Sequence, residues 1–136
     1  MAVSGQQFQF RLDLKSGVPV YRQLIDQVLI AVASGVLGPG DQVPTVRQLA
    51  VDLSINPNTV VRAYKELEIR GMLTTQQGTG TFITSKKVKH DEVQRQRRLT
   101  QMVDEFVARV SADGYTVDEI IARLEELRNE SGERRK

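Results

Sequence analysis

The 136-residue sequence predicts a mostly α fold carrying a small β hairpin, and three observations support that prediction. Apolar residues recur at helical spacing in five stretches. Residues suited to helix starts and stops flank those stretches. One pair of β-prone segments is separated by Gln77-Gly78-Thr79-Gly80, a glycine-bearing turn.

In chain order, Phe8, Phe10, Leu12 and Leu14 alternate with Gln9, Arg11 and Asp13, the period-two pattern of a short lead-in strand with one buried face. Tyr21, Leu24, Ile25, Val28, Leu29 and Val32 then fall on one side of a first helix, with Pro19 suited to its first turn and Gly35 to its stop. Gly38 to Asp41 form a turn-rich loop that ends at Pro44. Thr45 and Gln48 make an S/T-x-x-E/Q capping box for a second helix, whose apolar side is Val46, Leu49, Ala50 and Leu53. A short turn through Ser54 and Ile55 reaches Asn56, a good N-cap, and Pro57 follows at the first helical position. This third helix buries Val60, Ala63, Tyr64 and Leu67, ends before Gly71, and exposes Asn58, Thr59, Arg62, Lys65 and Glu66. Two short helices joined by a tight turn describe a helix-turn-helix.

The hairpin comes next, its strands Met72 to Gln76 and Thr81 to Thr84 forming a wing just after the third helix. Residues 1–85 are therefore expected to form a winged helix-turn-helix domain, and residues 86–136 a linker with a helical dimerisation region. Ser85 to Lys89 reads as a polar, basic linker. Beyond it, Leu99, Met102, Val103, Phe106, Val107 and Val110 resume helical spacing up to Gly114. Thr116 and Glu119 supply a second capping box, and Val117, Ile120, Ile121, Leu124 and Leu127 stripe a last helix whose tail from Ser131 should fray. Two such helices carry more apolar surface than one short hairpin can bury, so pairing with a second copy of the chain is expected.

Composition narrows the chemistry. There is no cysteine and a single histidine, His90, which removes disulfides and thiolate zinc sites and leaves no second imidazole to complete a metal shell. No cofactor is expected. His90 reads as a solvated linker residue. Glu119, Glu125, Glu126 and Glu130 read as the wet face of the last helix, because paired catalytic carboxylates would need a pocket that helices this short do not offer. No run approaches the ~20 consecutive apolar residues that span a bilayer, and Met1 to Gly17 lacks a basic-then-apolar signal pattern, so a cytoplasmic protein is expected. The 19 Lys and Arg against 17 Asp and Glu leave a net charge of +2, with basic residues gathered at Lys86 to Arg98 and acids at Asp118 to Glu130. That asymmetry suits an anionic partner.

The exposed face of the third helix points to double-stranded DNA. A major groove admits one helix, and amide or guanidinium side chains near that helix's N-terminus can match the donors and acceptors on base edges. Asn58, Thr59 and Arg62 occupy such places, with Lys65 one turn further on. Polar residues on an amphipathic helix are ordinarily just solvated, but here a capped helix precedes them and a glycine-tipped hairpin follows. Arg47, in the first turn of the second helix, can reach phosphate or a guanine edge, the alternative being a surface ion pair with Asp52 or Glu66. Thr45 has a sufficient structural task as an N-cap, and a phosphate contact would be an additional one. Gly78 and Gly80 do not belong to a dinucleotide-binding loop, since a strand rather than a helix follows them. They suit a wing tip lying against phosphates or in the minor groove.

Taken together, Pro19-Val20-Tyr21-Arg22-Gln23-Leu24, Leu37-Gly38-Pro39-Gly40-Asp41, Pro44 to Ala50, Asn56 to Tyr64, Leu67-Glu68, Arg70-Gly71 and Gly78-Thr79-Gly80-Thr81-Phe82 resemble the winged-helix domain of the GntR family of bacterial repressors. The resemblance covers about half the chain. The short helical C-terminal part is similar to the YtrA subfamily, whose members pair through two helices. The resemblance implies DNA roles for Arg47, Asn58, Thr59 and Arg62, and for Gln77, Gly78 and Gly80 in the wing. Family members sometimes place an arginine where Pro57 stands, so more of the readout is expected from Arg62. The C-terminal part is too small to carry over the effector or metal sites of larger family members, and no effector residue is assigned. The expected function is thus a homodimeric, sequence-specific regulator, a repressor in this reading, on a near-palindromic operator, and not an enzyme. The competing reading is an architectural or protein-interaction module without strong sequence preference.

Overall fold

A computed structural model of the chain describes residues 8–85 and 91–135, with side chains described as far as residue 129. The elements run α1 (Val20–Ala33), β1 (Gln42–Val43), α2 (Val46–Leu53), α3 (Pro57–Ile69), β2 (Leu73–Gln76), β3 (Gly80–Ile83), α4 (Glu92–Ala112) and α5 (Val117–Arg135). They fall into two compact units, the main part of the first ending at Lys86 and the second running Lys87–Glu130.

In the first unit, the apolar sides of three helices and a small sheet close on one core. Leu24, Ile25 and Val28 come from α1, Leu49 and Ala50 from α2, and Val60, Ala63, Tyr64 and Leu67 from α3, each essentially buried. Tyr21, Leu29, Val32, Val46 and Leu53 pack against that cluster from its rim. The stops expected from glycine are present, with Gly35 at φ 84 after α1 and Gly71 at φ 78 after α3. The turn between α2 and α3 instead places a serine, Ser54, at φ 55.

The sheet is antiparallel in the order β1-β3-β2. The β2–β3 hairpin is the expected wing, paired Leu73 with Ile83 through Gln76 with Gly80. Its third strand was not expected. Gln42 and Val43 pair with Phe82 and Thr81, which ties the loop before α2 to the base of the wing and seals Val43 into the core.

The lead-in strand is a correction. Residues 8–13 are not part of any sheet, although Phe10 is buried and Phe8 and Leu12 pack on the core, while Leu14, expected on the same face, is exposed because the chain turns there. Their backbone partners are glutamine side chains on α1. The Gln27 amide accepts from Arg11 N (2.8 Å) and donates to Arg11 O (2.7 Å), and the Gln23 amide does the same at Asp13 (2.8 and 2.9 Å). A carboxamide sets an N–H donor and an oxygen acceptor side by side, so it satisfies an extended residue as a neighbouring strand would.

In the second unit, Asp91 caps α4 through Val93 N (2.9 Å), and Thr116 and Glu119 form the expected reciprocal box, Glu119 N donating to Thr116 Oγ1 (3.2 Å) and Thr116 N to Glu119 Oε1 (3.0 Å). Gly114, at φ 94, turns the chain between the helices. The helix α5 continues through Arg135, beyond the fraying expected from Ser131. No residue of α4 is buried. Leu99, Met102 and Phe106 remain 52%, 50% and 44% exposed, so the apolar stripe of α4 is only partly covered by α5. The expected linker lies almost wholly on residues 86–90, and His90 with it, outside the described residues.

Candidate nucleic-acid interface

The start of α2 is held by Thr45, whose hydroxyl accepts from Gln48 N (3.1 Å) and keeps its own proton to donate. The capping box is only half closed, because the Gln48 amide reaches forward to Asp52 Oδ1 (2.7 Å) instead of back to the cap. Among the described residues the amides of Val46 and Arg47 meet no acceptor, so this helix end presents donors and the positive end of its dipole beside the Arg47 guanidinium. The start of α3 is arranged differently. Asn58 N donates to Asn56 Oδ1 (2.8 Å), Thr59 N donates to Asn56 O (3.0 Å), and Pro57 has no N–H. Backbone donation to a phosphate thus suits α2, whereas recognition by α3 falls to its side chains.

One part-buried hydrogen bond ties α3 to the segment leading into α2. Tyr64, on the core side of α3, donates its hydroxyl to Pro44 O (2.7 Å), just ahead of the Thr45 cap. Burial pushes the Tyr64 hydroxyl far above its ordinary pKa of 10.0, which keeps the proton on this donor.

The wing completes a groove. Thr45, Val46, Val61, Lys65, Glu68 and the turn from Thr75 to Thr81 enclose a cleft of about 660 Å³ between α2, α3 and the hairpin. Five of the nine residues singled out from the sequence border it: Thr45, Lys65, Gln77, Gly78 and Gly80. Arg47, Asn58, Thr59 and Arg62 do not. Gln77 and Gly78 are exposed at the tip, with Gly78 at φ 80 in open space. Gly80, at φ 140, has an added task, because a Cβ there would collide with the Gln42 side-chain amide. Part of the glycine requirement in the wing is therefore structural.

The carboxylates around this face are engaged locally. Asp52 accepts from Gln48, Glu66 pairs with Arg70 (3.0 Å), and Glu68 accepts from Thr75 Oγ1 (2.8 Å). Among the described residues Arg47 and Lys65 form no ion pair, so the surface pair considered for Arg47 with Asp52 or Glu66 is not made. Arg62 behaves in a way the sequence did not signal. Its guanidinium carbon lies 3.6 Å from the centroid of the Tyr21 ring on α1, a cation–π stack. Helical spacing had marked Tyr21 only as an apolar position, and nothing in either local sequence brings the two together.

A capped α2, an exposed α3 and a wing, with Lys65 unpaired in the groove and Arg47 unpaired in the first turn of α2, form a surface suited to a polyanion. Residues 20–83 match the family described as bacterial regulatory proteins, gntR family. The chain is 35% identical over 107 residues, 79% of this chain and 88% of the relative, to an uncharacterized HTH-type transcriptional regulator, YhcF, of Bacillus subtilis. It is 45% identical over 74 residues to the HTH-type transcriptional repressor YtrA of the same organism, a match spanning 54% of this chain and 57% of that one. Among solved structures it is similar to YtrA from Sulfolobus acidocaldarius, a GntR-family transcription factor, with a TM-score of 0.56 and 30% identity over 76% of this chain and 97% of that chain. No helix among the described residues is long and apolar enough to cross a membrane. Local geometry and kinship thus agree, and the chain belongs to the GntR family of DNA-binding transcription regulators.

Proposed function

We propose that this chain is a cytoplasmic, homodimeric repressor that binds a near-palindromic duplex operator through the start of α2, the exposed face of α3 and the wing. The observation that carries the reading is the groove itself, in which Thr45, Lys65 and the wing tip border one cleft while no carboxylate neutralises Lys65 or Arg47 among the described residues. In this reading Arg47 and Lys65 meet phosphates, Asn58, Thr59 and Arg62 supply base-edge contacts, and Gln77 with Gly78 lies along the flanking backbone. Repression is suggested by the relative named a transcriptional repressor. Dimerisation is supported by the half-exposed Leu99, Met102 and Phe106 stripe on α4, an apolar surface that a second copy would cover. A two-fold dimer sets its two recognition helices about 34–36 Å apart, or a multiple of that spacing, which calls for an inverted repeat.

Selection of bound sites from a random duplex pool, run with the full chain, tests this function. Enrichment of an inverted repeat supports it. Enrichment of a lone, unrepeated half-site would overturn the dimeric part, and no enrichment at all would favour an architectural module.

A further inference from the structure

Arg62 is the candidate reader whose side chain is already held in place. Its guanidinium sits 3.6 Å over the Tyr21 ring, and the ring is braced from behind because Tyr21 packs at the rim of the core. The neighbouring charges do not compete for it, since Glu66, one turn along α3, pairs with Arg70 at 3.0 Å and Asp26 pairs with Arg22 at 3.5 Å. Among the described residues Arg62 itself joins no ion pair.

A carbon-to-centroid distance of 3.6 Å favours a face-on stack, because an edge-on guanidinium would press a nitrogen into the ring. A stacked guanidinium spends only its face on the aromatic. Its N–H donors lie in its plane and remain available at the edge. An arginine normally surrenders rotamer freedom when it makes a bidentate contact, and a side chain fixed beforehand surrenders less.

We propose that Tyr21 is a positioning residue for operator specificity, holding Arg62 so that the guanidinium edge is ready for bidentate donation to a base. Guanine, with O6 and N7 side by side in the major groove, is the base whose acceptors match. The inference rests on the reading of Arg62 as a DNA-contacting side chain and extends it to a residue on a helix outside the helix-turn-helix.

The test uses the full chain with Tyr21→Leu, Tyr21→Phe, Arg62→Ala and the Tyr21→Leu/Arg62→Ala double variant. Each is titrated against the duplex that the unmodified chain selects and against that duplex with single base pairs changed, and thermal unfolding is followed in parallel. Arg62→Ala is expected to lose about 5- to 150-fold and to flatten preference at one base pair per half-site. Tyr21→Leu should lose about 2- to 5-fold, the scale of an exposed cation–π contact, with preference flattened at that same base pair and no other. Tyr21→Phe, which keeps the ring, should bind like the unmodified chain, and Tyr21→Leu should add nothing once Arg62 is gone. If Arg62→Ala loses binding while Tyr21→Leu does not, or if Tyr21→Leu binds more tightly, the positioning role is wrong and the reading of Arg62 stands. A loss in Tyr21→Phe equal to that in Tyr21→Leu would place the effect in the hydroxyl and overturn the stack. A uniform loss over all base changes together with a lowered melting temperature would make Tyr21 merely structural. If Arg62→Ala binds unchanged, the reading of Arg62 fails and takes the inference with it.

Discussion

The hydroxyl of Tyr64 donates to the carbonyl of Pro44 at 2.7 Å, and through that bond the buried side of α3 fixes the residue immediately before the α2 cap. The contact connects core packing to the surface, since Thr45 and Arg47 follow Pro44 directly. Tyr64→Phe should keep the ring packing and cost about 1 kcal/mol, as one hydrogen bond typically does. The pH dependence has a definite sign. Burial raises the hydroxyl's pKa above its ordinary 10.0, so an unfolded chain releases this proton before the folded one does. The contribution is complete below pH 10 and is lost as pH rises beyond it, a loss Tyr64→Phe cannot show. Urea unfolding at rising pH should therefore find the stability gap between the two proteins narrowing above about pH 10. A gap that stays constant would contradict the buried donor.

The two wing glycines should respond differently to asparagine. Gly78 at φ 80 in open space is close to the left-handed region that asparagine visits, so Gly78→Asn should stay within about 1 kcal/mol of the unmodified protein. Gly80 at φ 140 is in a region other residues rarely adopt, and its new side chain would also displace the Gln42 amide from Thr79 O, an existing 3.4 Å hydrogen bond. Gly80→Asn should cost about 1–3 kcal/mol. Equal losses in thermal denaturation would show that φ is not what demands glycine.

Gln23 is a buried amide that bridges three backbone groups, Asp13 N, Asp13 O and Val18 O. Gln23→Leu is similar in size but leaves those groups without their partner, at about 1–3 kcal/mol. Hydrogen exchange at the Asp13 amide should quicken in that variant. Unchanged protection there would mean that packing of Phe10, not the glutamine, holds the segment.

Gln23 and Gln27 also show where sequence reading stopped. Helix α3 was legible throughout, because Val60, Ala63, Tyr64 and Leu67 are spaced for one face and all four are buried. Phe8 to Leu14 alternate as a strand would, and Phe10 is indeed buried, but alternation reports a one-sided segment without naming what satisfies its backbone. Here Gln23 and Gln27 do so from α1, a partnership that depends on how the segment lies across the helix. Strand β1 was invisible because two residues carry no period. At the candidate site, the Thr45 and Asn56 caps were readable from local chemistry, whereas the Arg62–Tyr21 stack depends on the crossing of α1 and α3 and has no local signature.

The exposed stripe of α4 should be the seam between two copies of the chain. Met102→Asp and Phe106→Asp place a charge on that stripe without touching the core of the first unit, so each should leave the winged domain folded while shifting the protein toward monomer and weakening operator binding. Light scattering alongside thermal unfolding reads both effects. A dimer indifferent to both charges would place the interface elsewhere.

The central claim is that the face made by α2, α3 and the wing reads sequence, and competition titration addresses it most directly. The full chain is bound to the duplex it selects from a random pool and challenged with random duplex at physiological salt and above. A specific regulator should prefer the selected duplex by at least about 1,000-fold, with the logarithm of its affinity falling linearly against that of salt concentration as phosphates are neutralised. Equal affinity for selected and random duplex at physiological salt would contradict the claim and leave only a sequence-blind, architectural binder.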